Sequence, residues 1–270
     1  MTTVRAPGSS ANLGPGFDVL GLAVTRHAWV SDHGEGDPCP PGHIARIAYE
    51  TAGGRGDIWM AFDLPPGRGL GFSGAARAAG AVLAAYQRTG SLDQARVEAY
   101  PVVARLEGHG DNAAPSVFGG VQLVAGPVVH PVPVRLRADL LVWVPDHQTG
   151  TDESRSCLPP KVERGDAVFN LGRTALLVCA LAEDRPDLLR VATEDRLHQP
   201  VRLASSTPSK LALRAALEAG ALAAWLSGSG PSVAIVVERG GGAEVAAALP
   251  VGGEVLELEL DREGAVLVGS

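Results

Sequence analysis

The stretch Pro66–Gly80, PGRGLGFSGAARAAG, sets five glycines around a serine and a loop arginine and then runs into a helix of small residues. Bare backbone N–H groups at a helix N-terminus, aligned with the helix dipole, hold phosphate without side-chain charge. Ser73 adds a hydroxyl for a phosphate oxygen or for Mg²⁺, and Arg68 adds charge from the loop. Two better-known phosphate loops do not match. The lysine-bearing loop requires G-x-x-x-x-G-K-[ST], and Lys161 and Lys210, the only lysines, lie far from it. Gly69, Gly71 and Gly74 do spell G-x-G-x-x-G, but that fingerprint belongs to a parallel strand–helix–strand unit with an acidic residue closing the next strand. Here a second helix, starting at Ser91, follows instead. On this stretch alone, a lysine-free phosphate cradle and a plain tight turn fit about equally well.

Other stretches carry chemistry-bearing residues. SSANLGPGFDVLG places Asn12 and Asp18 around a rigid Gly14-Pro15-Gly16 turn. EGHGDN gathers Glu107, His109, Asp111 and Asn112, and a histidine beside an aspartate has the makings of a general base. SGSGPS, Ser227–Ser232, is a turn whose Gly228 and Gly230 permit close backbone approach. Taken singly, each has a plainer reading: Asn12 and Asp18 as turn or cap residues, Glu107 as a solvated helix end, Arg155 and Arg202 as surface arginines.

The elements that must position these residues follow from the pattern. WMAFDLP reads as a short strand stopped by Pro65 and Pro66, and Gly74 to Arg88 as a helix ended by Gly90. Ser91 with Gln94 forms a capping box for the next helix, which Pro101 is expected to end or kink before it restarts and stops at Gly108. Beyond, ADLLVWVP reads as a buried strand, Asp166 as the cap of an apolar helix to about Ala182, and Thr207-Pro208 as the start of a helix ending at Gly220. LAAWLS and SVAIVVE read as paired strands around the SGSGPS turn, Ala243 to Leu249 as a short helix, and GEVLELEL as a last strand. Strands and helices alternating without strict regularity indicate an α+β fold in two lobes. The proline-rich GPVVHPVPV marks the boundary, dividing the chain into residues 1–130 and 131–270.

Composition narrows the function. A net charge of -7 with no basic run argues against nucleic acid and requires any polyphosphate to be met locally, at a loop. Cys39, Cys157 and Cys179 are scattered, which excludes a disulfide framework and a structural zinc site. No apolar leader opens the chain and no stretch reads as membrane-spanning, so a cytoplasmic protein is expected.

Read together, GRGLGFSGA, APGSSANLGPGFDVLGLAV and LSGSGPSVAIVV form a trio that resembles the GHMP kinase superfamily, and the second of these is similar to its homoserine kinase branch. EGHGDNAAPSVFGGV, LPPKVERGDAVFNLGRTALLVCAL and DRLHQPVR support that branch, in family order over most of the chain. The resemblance implies a ribosomal S5 domain 2-like N-terminal lobe that binds ATP and a ferredoxin-like C-terminal lobe. It implies that Arg68, Gly69, Leu70, Gly71, Phe72, Ser73 and Gly74 hold the phosphates, and that Ser73 and Glu107 hold Mg²⁺. It further implies that Asn12, Asp18, Arg155 and Arg202 bind L-homoserine, and that Asp111 and Asn112 act at the reacting hydroxyl. Asp111 would serve either as a general base, as in some GHMP kinases, or with Asn112 in orienting the hydroxyl, since positioning and charge neutralisation can suffice. The product would be O-phosphohomoserine, on the route to threonine, and a homodimer is among the assemblies the family adopts. The family loop reads G-L-G-S-S-A, whereas this chain has Phe72 at the first serine, one hydroxyl fewer. The segment between Val24 and Pro66 is also short, so no adenine contacts are assigned. The competing readings are a GHMP kinase for another hydroxy acid, such as shikimate or mevalonate, and an inactive GHMP module that only binds.

Overall fold

The structure, a computed structural model, describes residues 1–146 and 156–269. Its first sheet is built on β1 (Thr3–Ala11) and β2 (Leu20–Ser31), paired antiparallel. The register shifts between Pro7 and Gly8. Proline has no N–H to continue a ladder, and the resulting bulge re-aims the end of β1. Ser9 N there donates to the Leu70 carbonyl at 3.0 Å, so the strand leads into the glycine loop. β3 (Asp37–Pro38) and β4 (Trp59–Phe62) extend one edge, while β5 (Val121–Ala125) and β6 (Val128–Val132) add a hairpin to β2.

Of helices α1 (Ile44–Thr51), α2 (Phe72–Thr89), α3 (Leu92–Glu107) and α4 (Ala113–Phe118), α2 and α4 pack on this sheet, and α1 and α3 pack against α2. α2 is central because its buried residues are mostly alanines, which let neighbouring helices approach closely. At Gly80 a Cβ would fall 2.2 Å from the Ala45 carbonyl oxygen, so α1 crosses there on bare backbone. Of the two outcomes expected at Pro101, an end or a kink, the end does not occur: α3 continues through it. Pro101 is exposed, and Val97, whose carbonyl loses its partner, is 66% exposed, so water satisfies that group. Ser91 caps α3 as expected, its side chain accepting from Gln94 N.

The second sheet runs β10-β7-β9-β8, with β7 (Ala138–Pro145), β8 (Ala223–Leu226), β9 (Val233–Glu238) and β10 (Gly253–Leu258), every neighbouring pair antiparallel. α5 (Arg164–Glu183), α6 (Pro186–Ala192), α7 (Gln199–Ala204) and α8 (Thr207–Glu218) lie between β7 and β8, and α9 (Gly242–Ala248) joins β9 to β10. This is the ferredoxin-like order that was expected. Glu163, not Asp166, occupies the α5 N-cap; Asp166 sits in the first turn. α5 also corrects the membrane reading: by length and composition it is apolar enough to cross a membrane, although Leu177, Ala180 and Leu181 are packed in the core.

The lobes share one apolar core, in which Leu20, Leu64 and Ala75 of the first meet Val142, Trp225 and Leu256 of the second. The expected 130/131 boundary falls inside β6, and β11 (Val266–Val268) returns to pair with β1. Asp261 ties that return down. Its buried carboxylate accepts from Glu263 N and Gly264 N, each at 2.9 Å, and lies 2.9 Å from His27 Nε2 on β2. Burial pushes the Asp261 carboxyl up, but the hydrogen bonds from His27 and the two amides outweigh it and hold it below its usual value. A depressed native pKa gives stability that is present above the unfolded value, about 3.9, and lost as pH falls through the native one. Thermal unfolding between pH 7 and pH 2 should therefore show an acid-side loss that is reduced in Asp261→Asn. That variant should also be less stable at pH 7 by about 1.5–3 kcal/mol, the scale of a charge-assisted hydrogen bond.

Candidate active site

A cleft of about 150 Å³ opens where the glycine loop meets the end of β1 and the turn after β8. Arg68, Gly69, Gly71, Phe72 and Ser73 line one side of it. Asn12, Asp18, Glu107, Asp111, Asn112 and Arg202 line the rest. Residues as far apart in sequence as Asn12 and Ser229 thus share one cavity. The Leu70 side chain does not face it: the residue is 1% exposed and packs in the core, so it serves the loop through its backbone, its carbonyl accepting from Ser9 N. Gly74 is buried against Asn112, one position inside the loop that lines the cleft. Arg155 lies outside the described residues.

The loop presents backbone rather than side chains. Gly71 is the N-cap of α2, left-handed at φ 67°, with no side-chain cap. A Cβ at this position would lie 2.1 Å from Ser9 Oγ, so no other residue fits. The N–H groups of Phe72, Ser73 and Gly74 open the helix, where no preceding turn supplies an acceptor. Phe72, the departure from the family loop, turns its ring onto Phe62, with centroids 4.8 Å apart. Its N–H stays in the helix N-terminus, so the substitution costs a hydroxyl and leaves the amide cradle whole. Arg68 is anchored by donating to the Pro145 carbonyl at the end of β7.

Ser73 Oγ donates to Glu107 Oε2 at 2.9 Å, across from α2 to the end of α3. Arg77, one turn further along α2, pairs with the other oxygen of Glu107, whose side chain is 5% exposed. Sequence reading missed Arg77; its signal was the i,i+4 spacing from Ser73, which places both on one helix face. Among the described residues no group of three or more carboxylates, histidines or cysteines could hold a metal. Mg²⁺, however, takes few protein ligands and fills the rest of its shell with water and phosphate. One hydroxyl and one carboxylate oxygen, already side by side in the cleft, fit that demand.

The substrate side is a polar web. Asn12 and Asp18 both have positive φ, 72° and 58°, as does Leu13 at 47°. Asn12 Oδ1 accepts from Asp18 N at 3.1 Å, and its amide donates to the Gly228 carbonyl at 2.9 Å. Asn12 thereby joins the turn to the second lobe as well as lining the cleft. Asn112 Oδ1 accepts from Ser9 Oγ at 2.8 Å. Asp111, 2% exposed, uses one carboxylate oxygen on both His109 Nδ1 and Asn112 N. Arg202 is 4% exposed, with its Nη1 3.2 Å from His198 Nδ1 and 3.3 Å from the Gly228 carbonyl.

Comparison with known proteins agrees with this geometry. The model of the GHMP kinases N terminal domain matches residues 39–120, and that of the GHMP kinases C terminal domain residues 176–251. The chain belongs to the GHMP kinase family, and is thus an ATP-dependent phosphotransferase. Within that family its relatives are homoserine kinases. That of Desulfitobacterium hafniense is 34% identical, covering 99% of this chain and 100% of its own length. That of Thermus thermophilus is 39% identical over 90% of this chain and 89% of its own. The crystal structure of homoserine kinase from Cytophaga hutchinsonii superposes with a TM-score of 0.83 at 26% identity, covering 99% of this chain and 97% of its own. The L. major mevalonate kinase, at 14% identity and a TM-score of 0.71 over 96% of this chain and 95% of its own, shares the fold.

The pairing of Glu107 can be checked directly. Arg77→Ala leaves a buried carboxylate without its cation and should destabilise the protein by about 3–5 kcal/mol. Arg77→Lys should recover part of this in a chemical denaturation series. An unchanged midpoint in Arg77→Ala would show that the pair carries no such weight.

Proposed function

We propose that this protein transfers the γ-phosphoryl group of ATP to the hydroxyl of L-homoserine. The observation that carries the reading is that one cleft joins a helix N-terminus of bare N–H groups to both Asp18 and Arg202. An anion and a guanidinium beside a phosphate cradle complement an amino acid whose side-chain hydroxyl must reach a phosphate. Homoserine kinases as full-length relatives support the choice of substrate.

In this reading the N–H groups from Gly69 to Gly74 hold the polyphosphate, with charge from Arg68. Asp18 takes the substrate ammonium by charge-assisted hydrogen bonding, and Arg202, with Arg155, takes the carboxylate. Ser73 and Glu107 would hold Mg²⁺, which when bound supplies charge neutralisation for the phosphates. Asn112, fixed by Ser9 and by the helix start, orients the substrate hydroxyl toward the γ-phosphorus. The new P–O bond forms as the bond to the leaving ADP oxygen breaks, through a loose transition state for which positioning and charge suffice, and the hydroxyl proton is lost late, to an oxygen of the transferred phosphoryl group and from there to water. Asp111 acts through orientation: one of its carboxylate oxygens meets both His109 Nδ1 and the Asn112 N–H, which fixes the start of the loop bearing Asn112. The reaction places the protein among soluble biosynthetic enzymes, before threonine formation.

ADP release with MgATP, offering homoserine, serine, threonine, shikimate and mevalonate in parallel, tests this. Homoserine should be turned over best. Asp18→Ala and Arg202→Ala should each raise the KM for homoserine by about 10- to 100-fold, as loss of one charged hydrogen bond does. Glu107→Gln should lower kcat by about 100-fold or more, on the scale of removing one transition-state charge contact. Turnover confined to a different alcohol would overturn the substrate assignment.

A further inference from the structure

We infer that His198 is a positioning residue for the amino-acid substrate, a neutral imidazole that sets the orientation of Arg202 by accepting from its guanidinium. The inference rests on the reading above, in which Arg202 binds the substrate carboxylate.

The ring is 0% exposed and lies between two groups whose roles cannot vary. Its Nε2 is 2.8 Å from the Gly14 carbonyl oxygen, which only accepts, so Nε2 carries the proton. Its Nδ1 is 3.2 Å from Arg202 Nη1, which only donates, so Nδ1 carries none. A pure acceptor on one side and a pure donor on the other select one tautomer of the uncharged ring. Protonating Nδ1 would set an N–H against a guanidinium N–H. Burial pushes the imidazole pKa down, against upward pulls from Asp195, the Gly14 carbonyl and Asp18, while Arg202 adds to the downward direction. These groups, from the turn after β1, the segment before α7 and α7 itself, are the charged and polar neighbours that bear on the ring.

The seat of the ring is built from both lobes. Phe17, next to Asp18, stacks on it with centroids 5.1 Å apart and planes at 24°. The Arg202 guanidinium carbon lies 5.3 Å from the centroid of the same Phe17 ring. From below, Asp195 accepts from His198 N at 3.0 Å and Gln199 N at 2.7 Å, and from Asn170 Nδ2 at 2.7 Å. With Nη1 anchored on His198 and on the Gly228 carbonyl, the plane of the Arg202 fork is set before substrate arrives. A planar, bidentate group depends on such orientation more than a point charge does. One ring thus links the turn bearing Asp18 to the arginine, the two groups that must be correctly spaced to take an ammonium and a carboxylate at once.

The two ring nitrogens can be separated by substitution. Gln at 198 places an amide N–H at the Nε2 position and keeps the contact with Gly14, but offers Arg202 nothing. Asn places an amide oxygen at the Nδ1 position and keeps the acceptor for Arg202, but gives up Gly14. The KM for homoserine should rise about 10-fold or more in His198→Gln, as loss of a charged hydrogen bond predicts, with kcat and the KM for ATP nearly unchanged. His198→Asn should keep the KM for homoserine near that of the parent while lowering Tm. In an Arg202→Ala background, His198→Gln should add no further rise in KM. An unchanged KM in Arg202→Ala alone would defeat the carboxylate reading itself. A raised KM there, combined with a normal KM in His198→Gln, with multiplying effects in the double variant, or with no recovery in folded His198→Asn, would overturn the role of His198. Nitrogen NMR of the parent protein gives an independent readout that needs no variant to fold. A neutral Nε2–H ring at pH 7 is expected, and a charged ring or an Nδ1–H tautomer would overturn the inference.

Discussion

A chain of hydroxyl groups between the two lobes holds the site together. The Ser227 hydroxyl lies 2.6 Å from the Gly69 carbonyl and 2.8 Å from the Ser10 hydroxyl, and Trp225 Nε1 lies 3.0 Å from Ser10 Oγ. The Ser227 hydroxyl is the donor toward both the Gly69 carbonyl and Ser10 Oγ, and the indole N–H donates to the same Ser10 oxygen. All the members are buried or nearly so. One residue on, Gly228 N donates to the Ala11 carbonyl at 3.1 Å. The glycine loop, the end of β1 and the turn after β8 therefore form one hydrogen-bonded unit. Such a network is costly to leave half-made in a low-dielectric interior, so it specifies a single relative placement of the lobes.

That placement explains how an acidic protein prepares a site for polyphosphate. It has no loop lysine, and the described arginines of the cleft are anchored: Arg68 on Pro145, Arg202 on His198 and Gly228. Arg77, behind the cleft, is held by Glu107. Charge is held where it is needed instead of being spread over a basic surface, and backbone N–H groups supply the remainder. The cleft is small, and its walls are short-range contacts of fixed direction.

The turn bearing Asn12 and Asp18 shows the cost of that precision. Asn12, Leu13 and Asp18 all adopt left-handed backbone, which costs roughly 1–3 kcal/mol each for residues other than glycine. The conformation persists because the second lobe grips the turn. Asn170 Nδ2 and Thr174 Oγ1 each donate to the Pro15 carbonyl at 3.1 Å, and His198 takes the Gly14 carbonyl. α5, read from the sequence only as an apolar helix, thus holds the substrate turn in shape through Asn170 and Thr174.

Much of the protein is written locally. The glycine spacing from Gly67 to Gly74, the Ser91 N-cap and the strand pair around SGSGPS depend on neighbours within a few residues and appear as read. Ser91 N–H, however, is taken by Thr89 Oγ1 and Gln94 turns to Glu98, so the reciprocal half of the capping box does not form. The types of Asn12, Asp18, Ser73, Glu107, Asn112 and Arg202 were also legible, because their chemistry is intrinsic to the side chain. What sequence could not show was which contacts each would make. Pro101 reads as a breaker, yet its helix continues because the bond it removes faces water. Leu70 reads as part of a phosphate loop, yet its side chain turns to the core. β11 pairs with β1 from the opposite end of the chain, and Arg77 and His198 acquire their partners 30 and 184 positions away. The sequence by itself determined the chemistry available and the local shapes that present it. Only the tertiary structure decided which of those groups meet, because hydrogen-bond direction, burial and pairing are properties of what lies across the cleft.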